Sequence, residues 1–351
     1  MIEMTPLERV LCTLGHREPD RVPFFLLLTM HGARELGVGI REYYHSPELV
    51  VEAQLRLRKR YGHDCLYGFL YAAVESEAWG GETAFREDGP PNAAAPCITA
   101  IASIPGLAPP RIEGAPGLMR VLAVLAGLKA RSQGSVPIIG TVMSPFSLPV
   151  LQLGFENYLE LIYLHRELFW ELMRLNTEFC VAWANAQLAA GANAICYFDP
   201  LSSPEITPAS DYLQLGGAVA RATLPRIKGP TATHLASGRV GTLLDQVAGT
   251  GTAAIGVSAR EDLAELKAAL AGRLAILGNL NGLEMGGWSP REAELQVRRA
   301  IAAGAPGGGF ILADNHGEIP WQVPETVLEA ISETVRRYGS YPIAKEVSPD
   351  A

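Results

Sequence analysis

The sequence is poor in cysteine and has none of the paired spacings that bind metals or build disulfide frameworks. Its five cysteines, Cys12, Cys65, Cys97, Cys180 and Cys196, stand far apart along the chain. Neither a C-x-x-C zinc site nor a disulfide-stabilised secreted domain is therefore indicated. Scattered cysteines of this kind are typical of reduced cytoplasmic proteins, and we expect that location.

Basic residues and long apolar runs are also scarce. The 29 Lys and Arg are outnumbered by 37 Asp and Glu, which gives a net charge of -8, and the basic residues form no stripe that would bind a phosphate backbone. The first residues carry charges throughout, unlike a signal peptide. No run reaches the roughly 18 apolar residues of a membrane span. The sequence predicts a soluble protein with neither a nucleic-acid nor a membrane partner.

What the sequence does contain is a regular alternation of short apolar runs and amphipathic helical stretches. Hydrophobic residues make up 48% of the 351 positions, enough for a large core. The apolar runs lie at residues 22–28, 65–70, 137–142, 194–198, 225–232, 253–257, 274–277 and 309–313. Short runs that are apolar throughout are typical of parallel strands covered on both faces. Eight such strands separated by helices predict an α/β fold, a (β/α)8 TIM barrel.

Local signals mark the helices and the domain organisation. Thr5 and Pro6 predict a helix to Leu14, and Ser289 is a good N-cap for another over residues 290–303. Further helices are predicted over residues 46–61, 154–190 (two helices) and 261–270. We expect one domain over residues 1–343 with an N-terminal helical extension, an insertion or lid over residues 71–115, and a flexible tail over residues 344–351.

In such barrels, functional side chains follow the carboxyl ends of the strands and face one mouth. The polar or functional residues in these positions are Met30 and His31 after the first run, Ser144 after the third, Asp199 after the fourth, His234 after the fifth, Asn279 after the seventh, and Asp314, His316 and Glu318 after the eighth. Glu77 stands in the segment that follows the second run. We expect the chemistry to centre on His234 and residues 314–318.

The order of these segments resembles the uroporphyrinogen decarboxylase superfamily, and more closely its methylcobamide:coenzyme M methyltransferase branch. The resemblance covers nearly the whole chain. It is carried by Thr5-Pro6-Leu7-Glu8-Arg9, Asp20-Arg21-Val22-Pro23, Glu77-Ala78-Trp79-Gly80, Phe198-Asp199-Pro200, Ile206-Thr207-Pro208, Thr233-His234, Gly278-Asn279-Leu280-Asn281 and Pro324-Glu325-Thr326-Val327. The decarboxylases themselves carry Met-Arg-Gln-Ala-Gly-Arg after the first strand and an aspartate after the second. Here Arg34 alone remains of the arginines, and the aspartate position falls near Tyr71.

The methyltransferase branch implies a zinc ion held by His-x-Cys after the fifth strand and by a cysteine after the eighth. His234 matches the histidine, Ala236 stands where the first cysteine would be, and His316 lies at or beside the second. The remaining donors form a harder set, for which we expect a divalent metal, with zinc favoured. The candidate ligands are His234, His316, Asp314, Glu318 and Glu77.

The resemblance implies a corrinoid-dependent methyltransferase that moves a methyl group between a small substrate, such as a methoxylated compound, and a cobalamin protein. The corrinoid would be carried by a separate partner, because the chain has no Asp-x-His-x-x-Gly cobalt-ligating motif. Candidate catalytic residues are His234, His316, Asp199 and His31, and candidate cofactor-binding residues are Asn279, Met30 and Ser144. A homodimer is compatible with the sequence.

Several of these residues have plain structural alternatives. His31 also suits a local hydrogen bond at a helix start, Asp199 before Pro200 also suits a turn, and Glu77 also suits a helix cap. Asn279 belongs to an Asn-Leu-Asn-Gly segment that makes a good turn. Two other functions stay open: a decarboxylase of the uroporphyrinogen type, and a non-catalytic small-molecule-binding barrel whose metal site has been lost through Ala236.

Overall fold

The computed structural model describes residues 3–270 and 272–343. The predicted tail at residues 344–351 lies outside this range. The helices are Pro6–Leu14 (α1), His31–Leu36 (α2), Ile40–His45 (α3), Pro47–Tyr61 (α4), Ala73–Ala78 (α5), Pro116–Ser132 (α6), Pro149–Leu153 (α7), Phe155–Leu164 (α8), Arg166–Ala190 (α9), Ala209–Tyr212 (α10), Gly216–Thr223 (α11), Leu244–Ala248 (α12), Leu263–Leu270 (α13), Pro290–Gly304 (α14) and Glu325–Tyr338 (α15). Within the described part of the chain, none of these helices has the length and hydropathy needed to cross a bilayer.

The helix starts follow from local capping chemistry, as predicted. In α1 the Thr5 hydroxyl accepts from the Glu8 N–H at 3.3 Å, while the Glu8 carboxylate accepts from the Thr5 N–H at 2.8 Å. This reciprocal pair satisfies two donors that a helix start leaves without partners. Ser289 caps α14 through the N–H of Glu292 at 3.2 Å. The predicted break within residues 154–190 is also confirmed, because α8 and α9 are separate helices.

The described residues form nine strands, seven of them in one parallel sheet. The strands are Leu66–Tyr67 (β1), Thr83–Ala84 (β2), Asn92–Ala93 (β3), Ile138–Met143 (β4), Ala194–Phe198 (β5), Thr231–His234 (β6), Ala254–Gly256 (β7), Ala275–Leu280 (β8) and Phe310–Asp314 (β9). The parallel sheet has the order β1-β4-β5-β6-β7-β8-β9, and β2 pairs with β3 in a separate antiparallel hairpin. The sheet is curled, with helices in the connections between its strands.

The first predicted strand, residues 22–28, is not a regular strand, so the eight-stranded prediction is corrected to seven. Phe24 makes an isolated parallel bridge with Leu312, and its carbonyl accepts from the Asp64 N–H at 2.8 Å. Its own N–H donates to the Asp64 carboxylate at 3.0 Å rather than to a backbone carbonyl. Pro23 has no N–H to donate. The segment therefore lies extended beside β9 without a continuous ladder.

The strand predicted at residues 225–232 begins later in the structure than the apolar run does. Pro225 and Pro230 have no N–H for a ladder, and the strand there is Thr231–His234, so His234 is its last residue. The segment at residues 71–115, predicted as a loop or lid, contains α5, the β2-β3 hairpin and two short 3-10 helices, Ile101–Gly106 and Ile112–Gly114.

Candidate active site

A cavity of about 500 Å³ runs along the axis of the curled sheet. All seven parallel strands contribute to its wall through Tyr67, Thr141, Cys196, Ala232, Ala254, Leu277 and Ala313. The interior of a parallel barrel is ordinarily filled by bulky branched side chains. Several small residues occupy these positions here, which leaves the axis hollow. Among the described residues that line the cavity, none is a lysine or an arginine.

Four of the sequence-predicted residues meet at the carboxyl ends of the strands, in the wall of this cavity. His234 ends β6 and Asp314 ends β9, and His316 and Glu318 follow in the next loop. The Ser237 hydroxyl lies 2.9 Å from Nδ1 of His316 and so joins the loops that follow β6 and β9. The sheet thus brings together two loops that are about 80 residues apart in sequence.

His234 is held in one tautomer by its surroundings. The Ala236 N–H donates to Nδ1 at 3.0 Å, so the neutral ring carries its proton on Nε2. The imidazole stacks on Phe198 at a centroid distance of 5.6 Å and lies over Gly256, where a Cβ would come within 2.4 Å of Cδ2. Burial, with a further contribution from nearby His316, lowers the pKa of His234 to about 4. His234 is therefore a neutral ring with an Nε2–H donor.

Asp314 is fixed by the backbone of the loop that follows it. Its Oδ2 accepts from the N–H groups of His316 and Gly317, each at 2.8 Å. Burial raises the pKa of Asp314 to about 6, and these two hydrogen bonds limit the rise. A carboxyl group with a pKa close to neutral can both give and take a proton near physiological pH.

Glu318 lies at the same mouth and is bound to the segment after the extended residues 22–28. Its Oε1 accepts from the Thr29 hydroxyl, from the Met30 N–H at 2.7 Å and from the Tyr44 hydroxyl at 3.3 Å. Burial raises the pKa of Glu318 to about 7. Met30, a predicted cofactor contact, contributes its backbone here and is not among the residues that line the cavity.

The other predicted catalytic and cofactor-binding residues are occupied by structural hydrogen bonds. Asp199 accepts from the hydroxyls of Ser144, Ser147 and Ser202 at 2.5, 2.7 and 2.6 Å, and all four side chains are buried. This cluster joins the loops after β4 and β5. Because neither Asp199 nor Ser144 lines the cavity, the structure does not bring them to the His234 site.

His31, Asn279 and Glu77 likewise lie outside the cavity wall. Nε2 of His31 contacts the carbonyl oxygens of residues 319 and 320 at 3.3 and 3.1 Å, and burial lowers its pKa to about 4. The Asn279 amide donates to the carbonyls of residues 258 and 261. Glu77 accepts from the Tyr71 hydroxyl at 3.0 Å and lies 3.6 Å from the Arg120 guanidinium.

The residues present do not fit the zinc site of the methyltransferase branch. Over residues 3–270 and 272–343, no three His, Cys, Asp or Glu side chains converge as metal ligands would. A histidine that binds a metal usually donates its other ring N–H to an acceptor. His234 has the opposite arrangement, because its Nδ1 accepts from Ala236 and its Nε2 holds the proton. The predicted ligand set of His234, His316, Asp314, Glu318 and Glu77 is therefore not assembled.

Sequence reasoning missed several residues of the cavity wall. Glu75 and Trp183 line it, as does Phe198, which stacks on His234. Glu75 stands two positions before Glu77, and residues two apart on a helix face different sides. Of the two carboxylates, Glu75 therefore lines the cavity and Glu77 does not. Gly256 gave no signal in sequence, since its importance comes from the ring that lies on it.

The comparisons with known proteins agree with this fold. The family model for uroporphyrinogen decarboxylase (URO-D) matches residues 5–338. This chain belongs to the uroporphyrinogen decarboxylase family. The chain is 24% identical to the uroporphyrinogen decarboxylase of Idiomarina loihiensis over 353 aligned positions, which cover 94% of this chain and 96% of that one.

The sequence identity of this chain to a methyltransferase is comparable to its identity to the decarboxylase. The chain is 26% identical to the methylcobamide:CoM methyltransferase MtaA of Methanosarcina barkeri over 295 positions, covering 80% of this chain and 84% of that one. A solved structure of a methyltransferase from Methanosarcina mazei superposes with a TM-score of 0.85 at 20% identity, covering 96% and 99% of the two chains. That likeness shows a shared uroporphyrinogen decarboxylase-type α/β fold. Proteins of this family include decarboxylases and methyltransferases, and this chain is similar to both.

Proposed function

We propose that this protein is a methyltransferase that moves a methyl group between a small neutral substrate and a cobalamin carried by a separate protein. The observation that carries the proposal is the charge of the cavity wall. Its ionisable groups are carboxyls and histidines, with no lysine or arginine among the described lining residues. Anions are costly to desolvate without a cationic partner. A neutral ligand with mostly apolar surface, such as a methyl ether, suits this wall.

The same observation disfavours uroporphyrinogen, whose eight carboxylates need a basic cleft. Arg34 is the single arginine kept from the decarboxylase motif, and its guanidinium lies 4.2 Å from the ring centroid of Trp321. It donates to the carbonyls of Trp321 and Val323 and is not part of the cavity wall. The arginine that resembles a substrate ligand is thus used to hold the loop after β9.

For ether demethylation, the residues of this chain would bind the ether and supply a proton. Cob(I)alamin on the partner supplies the electron pair that takes up the methyl group. The C–O bond breaks with its electron pair going to oxygen, so the departing oxygen needs a hydrogen-bond donor and then a proton. We assign the donor role to the Nε2–H of His234, because the hydrogen bond from the Ala236 N–H to Nδ1 leaves the ring proton on Nε2. Asp314, with its pKa raised to about 6 by burial, supplies the proton, and the product is an alcohol or phenol.

Three further expectations concern the fold, the location and the oligomeric state. We propose that residues 22–28 take the place of the eighth barrel strand, which their backbone hydrogen bonds to Leu312 on one side and Asp64 on the other support. The cytoplasmic location and the homodimer stay predictions. A metal-assisted step forms no part of the proposal, because the donor set does not fit one.

The test is methyl transfer to free cob(I)alamin, followed through the corrinoid absorption spectrum, with anisole and 4-methoxyphenol as donors. We expect conversion by the wild type and a loss of at least tenfold in rate for His234→Ala. No transfer from these ethers or from other methyl donors would refute the proposal. Release of carbon dioxide from uroporphyrinogen would point to decarboxylation instead.

A second candidate is a non-catalytic barrel that binds a small molecule. Ala236 in the position of the family cysteine, together with the lack of converging metal ligands among the described residues, favours it. Under that hypothesis His234→Ala would leave ligand affinity unchanged. Under the methyltransferase hypothesis the same variant loses a hydrogen bond to the substrate oxygen, and its affinity for an ether falls.

A further inference from the structure

The small side chains of the cavity wall form one continuous layer, two residues below the end of each strand at the level of His234. Thr141, Cys196, Ala232 and Ala254 stand side by side on β4, β5, β6 and β7, and all four line the cavity. Interior layers of parallel barrels usually carry bulky branched side chains that fill the axis. Side chains as short as these leave the axis open through this layer.

The exposure of the strand residues shows the same opening. Over residues 139–142, 194–198 and 231–233, every second residue is partly exposed although it lies inside the sheet, and the residues between are buried. The partly exposed residues are Ile139, Thr141, Ala194, Cys196, Phe198 and Ala232. Because side chains alternate between the two faces of a strand, this pattern indicates close packing against the helices and open space on the inner face.

The cavity continues below the small layer to the amino ends of the strands, where α1 closes it. Ala194, near the start of β5, lines the cavity, and the rise from Ala194 to Phe198 is about 13 Å along the strand. The Leu7 N–H donates to the Ser135 carbonyl at 3.1 Å, which ties α1 to the loop before β4. The part of the cavity between the small layer and α1 is called the lower channel. Its end wall is the apolar stripe of α1, formed by Leu7, Val10, Leu11 and Leu14.

The acidic and imidazole groups of the cavity wall gather at the opposite, carboxyl end. They are Glu75, which accepts from the last N–H of β4, and His234, Asp314, His316 and Glu318, which end strands or follow them. The amides lower in the wall are occupied by backbone: Gln187 bonds to Thr141 at 3.0 and 2.9 Å, and Asn193 accepts from the Ile138 N–H at 2.9 Å. A buried water needs two to four polar partners. The lower channel therefore suits an apolar group better than it suits water.

We propose that the lower channel binds an unbranched alkyl tail of the substrate, while the ether oxygen stays at His234. A cavity of about 150 Å³ holds one benzene molecule, so a single-ring ether such as anisole fills only about a third of the 500 Å³ here. A tail on the ring can continue down the axis, where it contacts Ala232, Cys196 and the apolar stripe of α1. Resting on the proposed function, this gives the substrate class as methyl ethers with an alkyl tail.

The first experiment measures binding by isothermal titration calorimetry with anisole, 4-ethylanisole and 4-butylanisole. These probes share the ether group and differ in the number of methylenes that the lower channel can bury. Each buried methylene tightens binding roughly three- to fourfold, so the wild type should bind 4-butylanisole on the order of a hundredfold more tightly than anisole. The affinity of 4-ethylanisole should lie between the two.

The second experiment narrows the small layer from two neighbouring strands. Ala232→Leu and Cys196→Leu each add a larger side chain at a position that is partly exposed to the cavity. Either variant should lower the ratio of the 4-butylanisole affinity to the anisole affinity at least tenfold, because the tail loses its space. Ala123→Leu, at an exposed position on α6 outside the cavity wall, is the matched control and should keep the wild-type ratio.

A wild-type ratio below about tenfold would overturn the proposal, because four buried methylenes give more than that. A ratio that both Ala232→Leu and Cys196→Leu keep would overturn it too, since the tail then binds elsewhere. If one of these variants fails to fold, the other decides with the wild-type series. Tail-dependent binding without methyl transfer would refute the methyltransferase function and leave the channel in place. Methyl transfer from anisole without a tail preference would do the reverse.

Discussion

Replacing Gly256 with alanine should displace His234 and expose how the imidazole is held. The added Cβ would lie 2.4 Å from Cδ2 and 2.9 Å from Nε2 of His234. Carbon atoms pack best at about 3.5 Å, so the ring must move by about 1 Å. The hydrogen bond from the Ala236 N–H to Nδ1, now 3.0 Å long, then breaks or lengthens.

The expected cost follows from these contacts. Overpacking costs about 1–3 kcal/mol, and the lost hydrogen bond adds about 0.5–1.5 kcal/mol. Alanine in place of glycine returns about 0.4–1 kcal/mol through the unfolded chain. We therefore expect Gly256→Ala to lower the free energy of unfolding by about 2 kcal/mol, the sum of the midpoints of these ranges. The ring should also leave the Nε2–H tautomer, and ether binding should weaken.

Urea denaturation measures the stability change, and ¹⁵N NMR of the His234 imidazole reports its tautomer. Gly286→Ala is the matched control, because a Cβ there meets nothing within 4 Å. It should change neither stability beyond about 0.5 kcal/mol nor the His234 resonances. A Gly256→Ala protein with wild-type stability and an unchanged Nδ1 signal would refute the reasoning about the ring.

Three further predictions concern pH, the buried ion network and metal binding. Because burial raises the pKa of Glu318 from 4.5 to about 7 in the folded state, the wild type should lose stability as the pH rises from about 4.5 to about 7. Glu318→Gln should remove this pH-dependent loss. Urea midpoints measured across the pH range test the difference. Asp64→Ala should cost about 3–5 kcal/mol in urea denaturation, since Asp64 is buried against Arg9 and Arg21 at 2.7 Å each. Elemental analysis should find substoichiometric zinc in the wild type and more in Ala236→Cys, which restores the family's His-x-Cys pair.

Each of these predictions has a control and a result that would contradict it. Glu318→Gln would contradict the pH argument if its stability fell with pH as steeply as that of the wild type. For Asp64, the control is Glu178→Ala, which breaks an exposed pair with Arg226 and should cost less than about 1 kcal/mol. Equal costs for the two would contradict a buried network. One zinc per wild-type chain would contradict the donor analysis.

Local chemistry in the sequence predicted much of the secondary structure. Thr5, Pro6 and Ser289 fix helix starts because a cap involves residues three positions apart, and the observed helices begin there. Apolar runs predicted most of the strands, because a strand covered on both faces needs consecutive apolar residues. The prediction was wrong at residues 22–28 because the Asp64 carboxylate, 40 residues away, takes the Phe24 N–H.

The candidate site was predicted in its position but not in its chemistry. His234, Asp314, His316 and Glu318 were expected at one mouth and line one cavity. Asp199 had the same signal in sequence, a carboxylate directly after a strand. Whether such a carboxylate faces the cavity depends on the hydroxyls that surround it, and three serines bind Asp199. The sequence does not show this contact, because the three serines meet Asp199 only in the folded structure.

The sequence by itself determined the family, the alternation of strands and helices, and the edge of the sheet where polar side chains gather, because these follow from local periodicity and from motifs read in order. Tertiary structure decided which of those side chains are free to act. The Ala236 N–H sets the tautomer of His234, and α5 turns Glu75 rather than Glu77 into the cavity. Such outcomes depend on hydrogen-bond partners and packing directions supplied by distant segments, which no local pattern specifies.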